Sequence, residues 1–205
     1  MKNVIEYIKQ IHSIAETGFH YSKNPFEVNR YKEISELCLD LLDKATLISR
    51  EQIQIHLEER NGYKTPKVDI RAVVFNSDGK LLLVREKIDG KWSLPGGWAD
   101  IGYSPSEMAI KETMEEAGMI VKPIRLLAVM DKKCHDHPSD LYYIYKIFLE
   151  CELLDEGEPD GLETTDKDFF NEDEIPDLSA PRNTPDQISM LFDFKKGIKT
   201  PPYFD

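Results

Sequence analysis

Near residue 65 the apolar residues of the chain change period, and that change restricts the possible folds more than any other feature. Before it, Val4, Ile8, Ile11 and Ala15 share one helical face, and a second stripe runs through Phe26, Ile34, Leu37, Leu41 and Ala45. The second stripe follows Asn24-Pro25, an N-cap residue followed by proline at the first helical position. A third, shorter helix is expected from Ser49 to Gly62. The stretch "KTPK", residues 64–67, reads as a linker, because Pro66 cannot continue a helix and disfavours helix at Thr65. The expected division is a small helical domain over residues 1–64 and a second domain over residues 65–205.

From residue 68 the pattern is that of strands. "VDIRAVVF" and "KLLLVREK" are joined by "NSDG" and predict a hairpin over residues 68–87. "DGKWSLP" adds a turn and a short strand. The next helix is announced by Ser104-Pro105-Ser106-Glu107, a serine cap with proline at the first position and glutamate three residues after the cap, and Gly118 is placed to end it. Strands are expected at about 120–130 and 141–151, with a short one near Phe169 and Phe170 after an acidic loop. Thr184 and Gln187 start a last helix. This order predicts an α+β fold, with helices packed on a mixed sheet.

The helix after Ser104 carries Glu112, Glu115 and Glu116 on one face, an arc of about 100°. Like charges at these spacings each cost a few tenths of a kcal/mol, and the helix dipole disfavours anions in this C-terminal half. Lys111 is adjacent in sequence and is expected to project away from the middle of that face. A solvated acidic surface would explain the glutamates alone, but Gly96-Gly97 before the helix permits close backbone approach. A flexible, oxygen-rich carboxylate cluster suits a hard divalent ion that also takes substrate phosphate oxygens.

Formal charge matters to that reading, since 26 Lys and Arg against 38 Asp and Glu leave −12. Long-range attraction for nucleic acid is therefore absent, and an anionic ligand needs help from a cation. No apolar run is long enough to span a bilayer, and Cys38, Cys134 and Cys151 form neither a disulfide framework nor a zinc knuckle. A reduced, cytoplasmic protein with no membrane partner is expected.

The segment "GWADIGYSPSEMAIKETMEEAGM" resembles the Nudix hydrolase signature, G-x5-E-x7-R-E-U-x-E-E-x-G-U with U a bulky aliphatic residue, and aligns to it without a gap from Gly97 to Met119. Tyr103 stands where the motif has its first glutamate, Lys111 stands for its arginine and Thr113 for an aliphatic residue. In the family that first glutamate mainly supports the loop and the arginine, so the departures touch the loop's salt bridge more than the metal site. The resemblance extends over residues 68–196 and implies a mixed sheet sandwiched by helices. The N-terminal part looks like the helical extension of a bacterial subgroup that hydrolyses nucleoside diphosphates linked to another group, such as ADP-ribose or CDP-choline, and implies a homodimer.

The resemblance also implies site residues. Glu112 and Glu116, one turn apart, are expected to hold Mg²⁺ or Mn²⁺, with Glu115 and the Gly97 carbonyl completing the set. The ion would bridge carboxylate and phosphate oxygens and lower the pKa of bound water. A general base is expected from a loop outside the signature, with Glu163 the candidate among Asp155, Glu156, Glu158 and Asp160. Arg71 and Arg85 interrupt apolar strands, so they either hold phosphates in a cleft or sit on an exposed strand face. Trp98 either stacks on a base or packs. His135 and His137 read as a polar loop rather than metal ligands, and Tyr142, Tyr143 and Tyr145 as sheet packing. A catalytically silent nucleotide sensor and an enzyme acting on RNA ends are the competing classes, the latter disfavoured by charge.

Overall fold

A computed structural model describes residues 4–57, 65–159 and 163–205. The chain falls into two compact units, Met1–Pro66 with Ser139–Tyr143, and Lys67–Pro138 with Ile144–Asp205.

The first unit holds α1 (Val4–Tyr21), α2 (Pro25–Ala45) and α3 (Arg50–Leu57). The α2 start is as expected, with the Asn24 side chain accepting from Phe26 N–H and Pro25 at the first position. The end expected at Gly62 lies outside the described residues. The core consists of Ile8, Cys38, Leu39, Leu42, Ile53 and Leu141. This corrects the second stripe: Phe26, Ile34, Leu37 and Leu41 are exposed, while Cys38, Leu39 and Leu42 turn inward. Helix α2 is apolar on two faces, and periodicity alone does not say which is buried.

Residues 139–143 are also corrected, since the expected strand 141–151 begins only at Ile144. Buried Lys9 donates to the carbonyls of Asp140 and Tyr142, Tyr143 Oη donates to the Glu6 carbonyl, and Leu141 enters the helical core. Polar groups that a sheet would have used are satisfied within the helical unit.

The second unit is built on strands β1 (Lys67–Phe75), β2 (Leu81–Glu86), β3 (Trp92–Ser93), β4 (Met119–Asp131), β5 (Ile144–Glu156), β6 (Thr164–Phe170) and β7 (Tyr203–Phe204), with helices α4 (Pro105–Ala117) and α5 (Pro185–Lys195). The sheet runs β3-β2-β1-β5-β4-β7, with β6 also paired to β2. β1 lies parallel to β5 over its whole length, and β4 runs antiparallel to β5. Side chains alternate between two apolar layers. Ile70, Ala72 and Val74 pack with Met108, Ala109 and Ala117 of α4, whereas Val73 packs with Ile188, Leu191 and Phe194 of α5. This is the expected mixed sheet sandwiched by helices.

The hairpin at 68–87 is splayed. β1 and β2 are antiparallel but register only at Phe75 and Leu81, and β2 takes β6 as its main partner. The segment Leu94–Ala99 fills the gap that opens. Ala72 N–H donates to Pro95 O, Ile70 N–H to Gly97 O and Ala99 N–H to Val68 O, each at 2.9 Å. Gly96, at φ +141°, presses so closely that a Cβ would stand 2.0 Å from the Ile70 carbonyl oxygen.

Two glycines separate the cost of this approach from that of a positive φ. Gly102 has φ +96° and open space around it. Gly102→Ala should therefore lower stability by about 1 kcal/mol from backbone conformation alone. Gly96→Ala adds overlap with a carbonyl and should cost about 3 kcal/mol or more. Urea unfolding of the two variants measures the difference.

Candidate active site

Backbone chemistry sets both ends of α4. Ser104 Oγ accepts from Glu107 N–H, the Glu107 carboxylate accepts from Ser104 N–H, and Pro105 occupies the first turn. At the other end Gly118 adopts φ 61° and donates to Met114 O, while Thr164 Oγ1 donates to Glu116 O. The three glutamates therefore sit on a helix fixed at both termini. Its acidic face turns toward the segment docked on β1.

Glu116 is 7% exposed, and its Oε2 accepts from Gly96 N–H at 2.8 Å. Burial pushes its carboxyl up to about 8, against the pull of Arg71 and the Gly96 N–H and with the help of Glu86 and Glu112. Glu112 is half-buried and also raised, first by burial and then by Glu115 and Glu163, with Lys111 and Arg71 opposing. A Cβ on Gly97 would lie 3.4 Å from Glu112 Oε2, so glycine keeps the loop and the carboxylate in close contact.

Lys111 does not project away from the acidic face. Its Nζ lies 3.2 Å from Glu115 Oε2, 3.6 Å from Glu112 Oε1 and 3.3 Å from Asp100 Oδ2, and these carboxylates raise its pKa, the Glu115 hydrogen bond most. A four-carbon stem folds back over one turn where an adjacent shorter side chain could not. The ammonium also lies 6.0 Å from the centroid of the Tyr103 ring.

The remaining expected residues separate. Arg71 is corrected: it does not face an open cleft but is 5% exposed, donating from Nε to Asp69 Oδ1 and from Nη1 to Leu94 O, both at 3.0 Å. Arg85 is exposed on β2 and donates to the Gly90 carbonyl. Trp98 is 48% exposed, and the Lys67 ammonium lies 5.7 Å from its ring centroid. Glu163 is exposed immediately before β6, and its charge is felt at Glu112. Glu156 and Glu158 line a cavity of about 530 Å³ whose wall also includes Glu116, Thr164 and Asp166. Asp160 lies outside the described residues. His137 donates to Ala180 O from Nδ1, leaving Nε2 to accept from Gln187, which makes it a tie between a loop and α5.

The structure adds charged residues that strand pattern does not single out. Glu86, buried next to exposed Arg85, accepts from Ser93 Oγ at 2.6 Å and pairs with Arg182 at 2.5 Å. Asp69 and Lys146, register partners on β1 and β5, form a buried pair. A carboxylate in an otherwise apolar run is the available signal, but sequence does not name its partner.

Residues 65–194 match the family model described as a NUDIX domain. The chain belongs to the Nudix hydrolase family. Residues 2–56 match a second model, described as a UDP-X-like, N-terminal oligomerisation domain. Among Nudix relatives, YjhB of Bacillus subtilis, provisionally named an ADP-ribose pyrophosphatase, is 42% identical over 98% of this chain and 96% of its own. A crystal structure of a UDP-X diphosphatase is 34% identical, with a TM-score of 0.64 over 98% of this chain and 97% of that one. An ADP-ribose pyrophosphatase from Streptococcus suis is 39% identical, with a TM-score of 0.61, covering 69% of this chain and 100% of that one.

Nudix hydrolases use divalent metal ions, and the donor chemistry here fits one. Glu112 and Glu116 are carboxylates raised first by burial and then by neighbouring carboxylates, Glu115 and Glu163 at Glu112 and Glu86 and Glu112 at Glu116. Gly97 O accepts from Ile70 N–H and keeps a second lone pair. Among the described residues no group of three or more His, Cys, Asp or Glu is gathered as a metal cage, because Glu115 turns to Lys111 and Glu116 engages Gly96.

The raised Glu116 carboxyl makes the stability of the metal-free Nudix chain depend on pH. Its folded pKa of about 8 lies above the ordinary 4.5, so between these values the folded state holds a proton that the unfolded state has released. The contribution of this group is then fully present below about pH 4.5 and is lost as pH rises through about 8. Thermal melts in EDTA should show Tm falling across that window, and Glu116→Gln should flatten the fall.

Proposed function

We propose that the protein hydrolyses the pyrophosphate bond of a nucleoside diphosphate linked to another group, of the ADP-ribose or CDP-choline type, giving a nucleoside monophosphate and a phosphorylated second product. The observation that carries this reading is the pair of half-buried Glu112 and buried Glu116, one helical turn apart and pressed against the Gly96-Gly97 backbone. Only one oxygen of Glu116 is engaged by the Gly96 N–H, and two carboxylates this close suit a site completed by cation and phosphate. The whole-length likeness to relatives named for ADP-ribose and UDP-X supports the substrate class.

In this reading Glu112 and Glu116 are the principal holders of Mg²⁺ or Mn²⁺, with Glu115 and the Gly97 carbonyl completing the set. The bound ion supplies charge neutralisation of the diphosphate and a water of lowered pKa. Glu163, whose charge acts on Glu112, would take the proton from that water. Trp98 presents a half-exposed ring beside Gly97 for stacking on the base, and Arg85 presents a cation for an outer phosphate oxygen. The polypeptide works as a homodimer through its N-terminal helices. The exposed row of Phe26, Ile34, Leu37 and Leu41, with Ile11 and Ile14 on α1, supports a second copy as its cover.

A panel of ADP-ribose, CDP-choline and UDP-linked sugars, with product nucleotide separated by chromatography, tests this function. At least one should yield nucleoside monophosphate with Mg²⁺ or Mn²⁺ and none in EDTA. Glu116→Gln should lower kcat by about 100-fold or more, the scale of losing one preorganised electrostatic contact in a transition state. Turnover undiminished in EDTA would sink the metal assignment. Tight binding of a panel member without hydrolysis would make the protein a nucleotide sensor instead.

A further inference from the structure

Arg71 is a cation only 5% exposed, and its burial calls for an explanation. Desolvating a guanidinium costs several kcal/mol, and a well-packed apolar residue is often as stable in its place. Its partners indicate what the charge accomplishes. Nε is taken by Asp69, whose other oxygen is held by the ammonium of Lys146, itself 1% exposed. That pairing fixes the guanidinium plane and leaves Nη1 aimed across the gap at Leu94 O, 3.0 Å away. Leu94 opens the segment docked on β1, and two residues on, Gly96 N–H meets the Glu116 carboxylate. The Gly96 backbone is so close that a Cβ there would stand 3.0 Å from Arg71 Cα. The segment is thus gripped between a buried cation on one side and a glutamate of the signature on the other, and the Arg71 charge reaches Glu116, Glu86 and Glu112.

We propose that Arg71, held by Asp69 and Lys146, is a positioning residue: it fixes the Leu94–Gly97 segment so that the Gly97 carbonyl and Glu116 are set in place for the hydrolytic site, and it acts through them rather than on the substrate. This rests on the hydrolase reading above. A planar fork with separate donors spans Asp69 and Leu94 at once, which a lysine ammonium in the same place does not do.

Arg71→Lys keeps the charge and removes the fork, and three measurements then separate the possibilities. Hydrogen exchange at the Ile70, Ala72 and Gly96 amides, which donate to Gly97, Pro95 and Glu116, should quicken by about tenfold while β4–β5 amides keep their rates. Mn²⁺ affinity, read by electron paramagnetic resonance, should weaken by about tenfold, as for other residues that orient metal ligands. At saturating metal, kcat should fall while KM for the hydrolysed nucleoside diphosphate-linked substrate stays within about twofold.

A raised KM with unchanged kcat and unchanged exchange would overturn the proposal and make Arg71 a substrate ligand. Exchange quickened uniformly through the second unit, with Mn²⁺ affinity per folded molecule intact, would overturn it in favour of a purely structural ion pair. Should Arg71→Lys not fold, Asp69→Asn carries the same test, because it releases the guanidinium without removing it. If the wild type hydrolyses nothing in the panel, the functional reading fails, and the exchange measurement still decides the role of Arg71.

Discussion

The short ladder between β1 and the Leu94–Ala99 segment is the interaction on which the rest of the second unit depends. A hairpin of ordinary geometry would have given β1 to β2, leaving no place for the segment and no fixed route into α4. Instead the pair separates beyond Phe75 and Leu81, and the backbone groups of Val68, Ile70 and Ala72 are met by Ala99, Gly97 and Pro95. Each bond contributes only about 1 kcal/mol net, but leaving buried donors unmet would cost more than that. The ladder and the splay of the hairpin therefore require each other. Gly96 is the residue that makes them compatible, since any side chain there would meet the Ile70 carbonyl.

Charge is distributed around that ladder so that burial and pairing oppose each other at every position. Burial alone would raise the Asp69 carboxyl, but the Arg71 and Lys146 charges outweigh it and hold it below the usual range. For Lys146 burial wins, pushing it down to about 8 against the pull of Asp69, so it stays mostly charged at neutral pH. Glu116 is the member left short of cation, because the guanidinium nearest to it is committed to Asp69 and Leu94. The imbalance is local to the helix face that faces the segment. Glu86, also buried, has Ser93 and Arg182 both on one of its oxygens.

The parts of this arrangement legible in the sequence are those decided within a few residues. Ser104, Pro105, Glu107 and Gly118 define α4 because capping chemistry acts over three or four positions, and the glutamate spacing follows from the helix they bound. Signals that depend on distant partners are lost. "VDIRAVVF" announces a strand but not that its full-length partner lies at Ile144 onward, so the neighbouring strand in sequence is the natural and wrong choice for its ladder. Arg71 and Arg85 look alike as single cations in apolar runs; one is buried between Asp69 of its own strand and the Leu94 carbonyl of the docked segment, and the other is exposed beside Gly90, a difference that depends on how distant segments pack. Tyr142 and Tyr143 have strand composition, yet their segment is taken by Lys9 and Glu6. In α2 two apolar faces compete, and only packing identifies the inner one.

Tyr103 is the departure from the Nudix signature that bears most directly on the site, because the family's glutamate there supports the loop. Here Lys111 reaches Asp100, three residues earlier, and the Tyr103 ring lies beside the ammonium. The tether is thus retained between different side chains, but it is partly exposed, and pairs of that kind contribute about 0.2–1 kcal/mol. That is less than the ladder to β1 supplies through its three backbone bonds, with Glu116 and Arg71 adding a further grip at Gly96 and Leu94. The position of the loop therefore rests on buried backbone contacts that do not involve residue 103. Replacing the motif glutamate by tyrosine removes a minor support, and the glutamates of α4 keep the setting that the docked segment imposes.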